Sequence, residues 1–294
     1  MTFRRGLLAT GLLGVLGIGA RSVVRWIRAR YGRPPRRLPV DGLVPADAID
    51  VVIATPNGST LRGWLRETPA SGPCGVALVV HGWGGSAADM FPLSEPLLED
   101  GLHVLLLDTR GHGRSDDAAL TSMPAFAEDI RAALTWLRAQ PQVDPARIVL
   151  VGHSVGAGAC LFVAAQDRGI AAVVSLASMA DPRAFMSNML RGRLPAPLTT
   201  WALRYVEWTI GHRFSEFSPV HTIGRVRAPV LLLHGGQDTT VALSDAYRLH
   251  AQAPDHSTLV VLPDADHASV ESLVGARPAV LRFLRDAGVL PAAN

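Results

Sequence analysis

A serine set between two glycines is the first place in this chain where residue types and spacing could do chemistry. Gly152-His153-Ser154-Val155-Gly156 follows Ile148 to Val151, a short apolar run suited to a buried strand, and opens the small-residue stretch Ser154 to Ala165, suited to a helix. A turn this tight forces Ser154 into a strained backbone conformation, and the glycines leave room for neighbouring main chain. The strain lifts the hydroxyl above the sheet edge, and N–H groups at the helix start face negative charge developing on a substrate oxygen. The chemistry is that of a nucleophilic alcohol. The same pentapeptide also fits a glycine-rich connection whose serine merely caps a helix, so the rest of the chain decides.

A serine hydroxyl needs a base near neutral pH, and the base needs an anion to hold its tautomer and stabilise its charged form. His267 follows the last apolar run of the chain, Asp238 the run before it, and Ser154 the run that leads into the turn. Asp264 and Asp266 compete with Asp238 for the anionic role. His81, His112 and His153 read as structural, and Asp108 and Arg110 as holding the turn Asp108 to Ser115 together.

The elements that must position these residues alternate. Ile49–Ala54 and Leu61–Arg66 read as a β-hairpin through Thr-Pro-Asn-Gly-Ser. Val76–Val80 is a buried strand running into His81-Gly82-Trp83-Gly84-Gly85-Ser86, with a helical stretch to about Asp100. Strand His103–Leu107 follows, then a helix over Pro124–Gln140 with Phe126, Ile130, Leu134 and Leu137 on one face. After the Ser154 helix come strand Ala171–Leu176, strand Pro229–Leu233, a helix from Leu243 to about Ala251, strand Thr258–Leu262 and a helix ending near Ala287. Such alternation predicts an α/β fold, with a mostly parallel central sheet, helices on both faces and all strand C-termini at one edge. The loops carrying Ser154, Asp238 and His267 therefore converge. Residues 181–223 break the rhythm, and their methionines and aromatics (Phe185, Met186, Met189, Trp201, Tyr205, Trp208), with Met179 just before, predict a short helical cap that packs on the core or lines an acyl pocket.

Together, His81-Gly82-Trp83-Gly84-Gly85, Asp108 to Ser115, Gly152 to Gly156, Gly235 to Asp238 and Asp266-His267 resemble an α/β-hydrolase fold serine hydrolase, similar to the serine-aminopeptidase-like and monoacylglycerol-lipase-like esterases. The resemblance spans about Ile49 to Ala287. It implies Ser154 as nucleophile, His267 as base and then acid, Asp238 as its orienter, and the backbone N–H groups of Trp83 and Val155 as the oxyanion hole. Asp264 and Asp266 lie too near His267 in sequence to match the family pattern. Serine at position 154 separates the chain from the dehalogenase and epoxide-hydrolase branches, which use aspartate there. The expected activity is hydrolysis of carboxylic esters, lipid-derived ones included, through an acyl-enzyme. An aminopeptidase or amidase, a thioesterase, and a membrane-tethered ligand sensor on the same fold are the alternatives.

Composition bounds the remainder. With 294 residues, 48% of them hydrophobic and 18% charged, the chain can bury one large α/β core, expected over residues 48–290. Cys74 and Cys160 sit in unlike settings and imply no disulfide. No Cys/His cluster has metal-ligand spacing and no Gly-rich loop ends in Gly-Lys-Ser/Thr, so no cofactor is expected. Every one of the 28 basic residues is arginine, and nine fall in residues 1–40, which hold no acid. The other 19 face 25 acidic residues, so the net charge of +3 reflects a basic tail on a mildly acidic domain and does not point to nucleic acid.

That tail carries its own expectation. The apolar run Gly6–Ala20 after Arg4-Arg5 has the layout of a signal sequence or anchor, and residues 1–30 read as an uncleaved single-pass membrane anchor. Arginines after the run favour a cytoplasmic catalytic domain, and a twin-arginine-like export signal is the alternative. Residues 31–47 read as a Pro/Arg-rich linker.

Overall fold

The computed structural model describes residues 25, 32–39, 43–69, 72–268 and 275–291. Eight strands make one sheet: β1 (Ile49–Ala54), β2 (Thr60–Arg66), β3 (Cys74–Val80), β4 (His103–Asp108), β5 (Val143–His153), β6 (Ala172–Leu176), β7 (Val230–Gly235) and β8 (Ser257–Leu262). Their order is β1-β2-β4-β3-β5-β6-β7-β8. The β1–β2 hairpin is antiparallel and pairs antiparallel with β4, and every later pairing is parallel. The expected hairpin and parallel sheet are therefore both present.

Side-chain alternation along the central strands decides the layering. Leu78, Val80, Leu105, Leu107, Ile148, Leu150, Val173 and Leu232 face one side and pack with Phe126, Ile130, Leu134 and Leu137. Ala77, Val79, Val104, Leu106, Val149, Val151, Val174 and Leu231 face the other, against Leu93, Leu97 and Leu284. The helices supplying these contacts are α1 (Phe91–Glu99), α2 (Met123–Arg138) and α3 (Val155–Ala164), with a last helix over Arg277–Asp286. Ser122 caps α2, its hydroxyl accepting from the Ala125 N–H at 3.3 Å.

β5 begins earlier than its apolar run Ile148–Val151 suggests. Val143 pairs with Cys74, and a register irregularity between Cys74 and Val76 absorbs the intervening residues. The Asp144 carboxylate accepts from the Ala146 N–H and the Arg147 guanidinium, supporting the main chain around Pro145 where the ladder is interrupted.

Between β6 and β7 the chain makes four α-helical pieces, α4 (Pro182–Leu190), α5 (Ala196–Ile210), α6 (Phe214–Phe217) and α7 (Pro219–Thr222), and a 3-10 turn over Ile223–Arg225. Asp181 caps α4 by accepting from the N–H groups of Arg183 and Ala184. Gly211, at φ +72°, ends α5 in the left-handed conformation that a side chain would oppose. The following helix, α8 (Leu243–Gln252), is followed by α9, the Arg277–Asp286 helix already named.

The single-pass membrane anchor is not supported. Among the described residues no helix is long and apolar enough to cross a membrane. The run Gly6–Ala20, on which both the anchor and the export-signal readings rest, lies outside the described residues. Its length of about 22 Å as a helix already falls short of a hydrocarbon core of about 30 Å.

Candidate active site

Ser154 occupies the corner between β5 and α3 at φ +53° and ψ −116°, a left-handed backbone that a non-glycine residue adopts only when its surroundings enforce it. The enforcement is visible. A Cβ on Gly152 would lie 2.6 Å from the Ala157 nitrogen, and one on Gly156 would run into the main-chain carbonyl of His81. The Ser154 N–H donates to the Leu176 carbonyl at 2.8 Å, which ties the corner to β6.

Two loops from strand ends meet the serine. His267 Nε2 is 3.1 Å from Ser154 Oγ, and His267 Nδ1 is 2.7 Å from Asp238 Oδ2. A carboxylate only accepts, so Nδ1 carries the proton and Nε2 is left to accept from the hydroxyl. Asp238 also accepts from the Thr240 and Val241 N–H groups, each at 2.8 Å. Burial disfavours its charge, but the hydrogen bonds from His267 and these two amides outweigh burial and hold its pKa below the ordinary carboxylate value. Asp264 and Asp266 are exposed on the loop before His267, and Asp238 is the acid on Nδ1. His234 lies 3.5 Å from the Asp238 carboxylate while bonded to the Val241 carbonyl, so it props the turn from beneath.

The loop after β3 forms the third side. A Cβ on Gly82 would be 2.9 Å from His153 Nδ1 and 3.2 Å from Ser154 Cβ, which places Trp83 beside the nucleophile. Trp83 and Val155 line the same cavity as Ser154 and His267. Among the described residues neither of their backbone N–H groups has a protein acceptor, and Val155 is the first residue of α3, where the helix dipole adds positive potential.

Buried histidines brace this loop. His81 Nδ1 donates to the Gly82 carbonyl at 2.7 Å and Nε2 accepts from the Thr109 N–H at 3.2 Å. Complete burial pushes its pKa down to about 4, so it is neutral. His112, its ring tilted against that of His81 with centroids 4.8 Å apart, is pushed to about 3 by burial and then by His81. Asp108 joins two loops, accepting from the Ala87 and Arg114 N–H groups. Arg110 does not bond to Asp108. It reaches α2, pairing with Asp129 at 2.6 Å, and so ties the turn to a helix instead of to itself.

A cavity of about 370 Å³ opens over Ser154. Met179, Phe185, Met186, Met189, Tyr205, Val206, Phe214 and Phe217 from the β6–β7 insertion line it, with Leu120 and Met123. Two of the aromatics grouped with these in the sequence point elsewhere: Trp201 is 39% and Trp208 75% exposed. Gly32 and the loop Leu120–Met123 are walls with no counterpart in the sequence reading. The local signal there is a single capping serine, which marks a helix start and nothing about a pocket. Among the described residues no cluster of three or more His, Cys, Asp or Glu could hold a metal ion.

Comparison with known proteins agrees with this architecture. The α/β-hydrolase fold profile matches residues 76–212. The chain is 32% identical over 292 residues to the uncharacterized protein Rv2307c of Mycobacterium tuberculosis, covering 96% of this chain and 97% of that one. It is 34% identical over 135 residues, 45% of each chain, to the polyketide transferase grgF of a Penicillium species. Among solved structures, the Pyrococcus furiosus esterase Pf2001 superposes with a TM-score of 0.67 at 24% identity, over 86% of this chain and 98% of that one. The chain belongs to the α/β-hydrolase fold family.

Proposed function

We propose that this protein is a serine hydrolase of carboxylic esters with apolar acyl groups, acting through an acyl-enzyme. The observation that carries the reading is the continuous array Ser154 Oγ, His267 Nε2, His267 Nδ1 and Asp238 Oδ2, opening into the apolar cavity. Ser154 Oγ attacks the acyl carbon as its proton passes to His267 Nε2, and Asp238 holds the imidazolium that forms. The Trp83 and Val155 N–H groups receive the oxyanion, each such donor contributing about 2 to 4 kcal/mol of transition-state stabilisation. The C–O bond then breaks, the alcohol leaves with the proton from Nε2, and the acyl group stays on Ser154. Water, deprotonated by His267, attacks the ester so formed and releases the acid.

A cavity of this size suits a small ligand, and its methionines adapt to different shapes. Among the described residues that line it there is no Asp or Glu to receive a substrate amine, which favours an ester over an aminopeptidase substrate. The resemblance of 45% of the chain to a polyketide transferase keeps acyl transfer to an alcohol as the second reading, since an alcohol in place of water completes the same cycle.

The test is release of p-nitrophenol from acyl esters of increasing chain length, with Ser154→Ala in parallel. Turnover abolished by the substitution, and fluorophosphonate labelling confined to Ser154, are the expected results. Absence of both turnover and labelling in the wild-type protein overturns the reading.

A further inference from the structure

Residues 32–36 belong to the Pro/Arg-rich stretch ahead of the first strand, yet they lie against the cavity wall, the loop after β3 and the turn after β4 at three successive points. The Gly32 carbonyl accepts from the Thr121 N–H at 2.9 Å and from the Thr121 hydroxyl at 3.4 Å. Pro34 packs beside Gly84, whose Cβ would sit 3.6 Å from the proline ring. Arg36 Nη2 donates to the Ser115 carbonyl at 2.7 Å and to Asp117 Oδ1 at 2.8 Å. Gly32 itself is buried and lines the cavity above Ser154.

Thr121 links this segment to the oxyanion loop. Its hydroxyl, 5% exposed as a residue, accepts from Trp83 Nε1 at 3.0 Å while its own proton points to Gly32. A hydroxyl has one proton to give, so the direction of this relay is fixed: indole to threonine to main-chain carbonyl. Pro34 meets the same loop one residue beyond Trp83, at Gly84, where φ is +76°. The indole and the residue after it are thus held by Thr121 and by the upstream segment.

We infer that the segment Gly32–Arg36 is a working part of the acyl site: through Thr121 it positions the Trp83 indole and with it the oxyanion loop, making Thr121 and Trp83 determinants of acyl-group selectivity. The inference rests on the ester-hydrolase reading for its catalytic consequence, and on the hydrogen-bond relay alone for its structural one. Arg36 is the handle for testing it, because it clamps the segment from outside the cavity and touches no reacting group.

The experiment uses the full chain with four substitutions: Arg36→Ala, Thr121→Val, Thr121→Ser, and Arg37→Ala as a control that removes the same charge one residue further on. Two readouts are taken: kcat and KM across the acyl-chain series, and hydrogen exchange of the Trp83 indole N–H by 15N NMR, assigned with Trp83→Phe. Thr121→Val is expected to lower kcat/KM about 10- to 100-fold, the size of effect that follows slight misplacement of a reacting group, and to release the indole proton to exchange. Arg36→Ala is expected to move both readouts the same way by a smaller factor and to flatten the chain-length preference. Thr121→Ser keeps the hydroxyl and should restore the indole protection that Thr121→Val loses. If Arg36→Ala matches Arg37→Ala in both readouts, the inference is overturned, even where Thr121→Val misfolds. If the indole is released in Arg36→Ala but wild-type protein turns over no ester, the relay stands and the ester reading, with the selectivity role, falls.

Discussion

His153 Nε2 donates its proton to the main-chain carbonyl of His267 at 2.8 Å, so the residue before the candidate nucleophile carries the backbone of the candidate base. The two residues are 114 apart in sequence, and their rings lie 5.0 Å apart. Burial, and then the facing His267, push the His153 pKa down to about 4, which keeps it neutral. The bond fixes the height of the His267 loop over Ser154 independently of Asp238.

Replacing His153 with Phe keeps the bulk and removes the donor. Turnover of the preferred ester should fall about 10- to 100-fold, while KM stays within about twofold, because His153 is not among the residues lining the cavity over Ser154. Steady-state kinetics separate the two effects. An unchanged kcat would remove His153 from any positioning role.

Asp238→Asn tests the other support of the same imidazole. The amide oxygen can still accept from Thr240 and Val241, but an NH2 group then faces Nδ1 and favours the opposite tautomer, whose protonated Nε2 cannot accept from Ser154. A loss of about 10,000-fold in kcat with little change in the folded structure is the expected result. A loss under about tenfold would assign the anionic role to another acid.

Gly156 is wedged against the carbonyls of Val80 and His81, and both obstacles are main chain. Gly156→Ala should therefore lower stability by about 1 to 3 kcal/mol, as overpacking does elsewhere, and displace the His81–Trp83 loop. The urea midpoint and ester turnover should fall together. Stability lost with turnover intact would mean that the helix, and not the loop, gives way.

Acid should destabilise the fold through its buried histidines. His81, His112 and His153 titrate at about 4, 3 and 4 when folded, against about 6.5 when unfolded. Below pH 6.5 the unfolded chain binds protons that the folded one does not, so stability is complete above that value and declines as pH falls toward 4. Asp129, raised to about 6 mainly by burial, works in the opposite direction below pH 6. The histidine-driven loss therefore sets in near pH 6.5 and is steepest at about pH 5, midway between the unfolded and folded values, where Asp129 offsets about one of the three protons. Thermal melts over pH 7.5 to 4 should show a midpoint that drops with pH, less so in His153→Phe; equal slopes in the two proteins would contradict the assignment.

Much of this was legible from the residues alone, for local reasons. The β3 and β5 runs are apolar throughout because both sheet faces are covered, and Gly152 to Gly156 encodes its own strained corner. Asp238 and His267 could be paired with Ser154 because parallel strands deliver their C-termini to one edge. The directions of Trp201 and Trp208 were not legible, since a mixed helix such as α5 presents aromatics to both cavity and solvent. Nor was the seat of Gly32–Arg36, because a Pro/Arg-rich stretch has no periodicity to mark a buried face, and its contacts reach loops about 80 to 90 residues away in sequence. Arg110 was misassigned to its own turn because its partner, Asp129, lies a helix away.

Tyr205 forms part of the cavity wall, stacks on Trp201 at 5.8 Å and meets the tilted ring of Trp208 at 5.8 Å. That ladder runs from the interior of the cavity over Ser154 to the solvent. A ligand pressing on the phenol would disturb indoles at the surface, whose emission responds to their stacking and to water. Occupancy of the cavity therefore has a built-in optical signal, readable in the unlabelled protein and without any turnover.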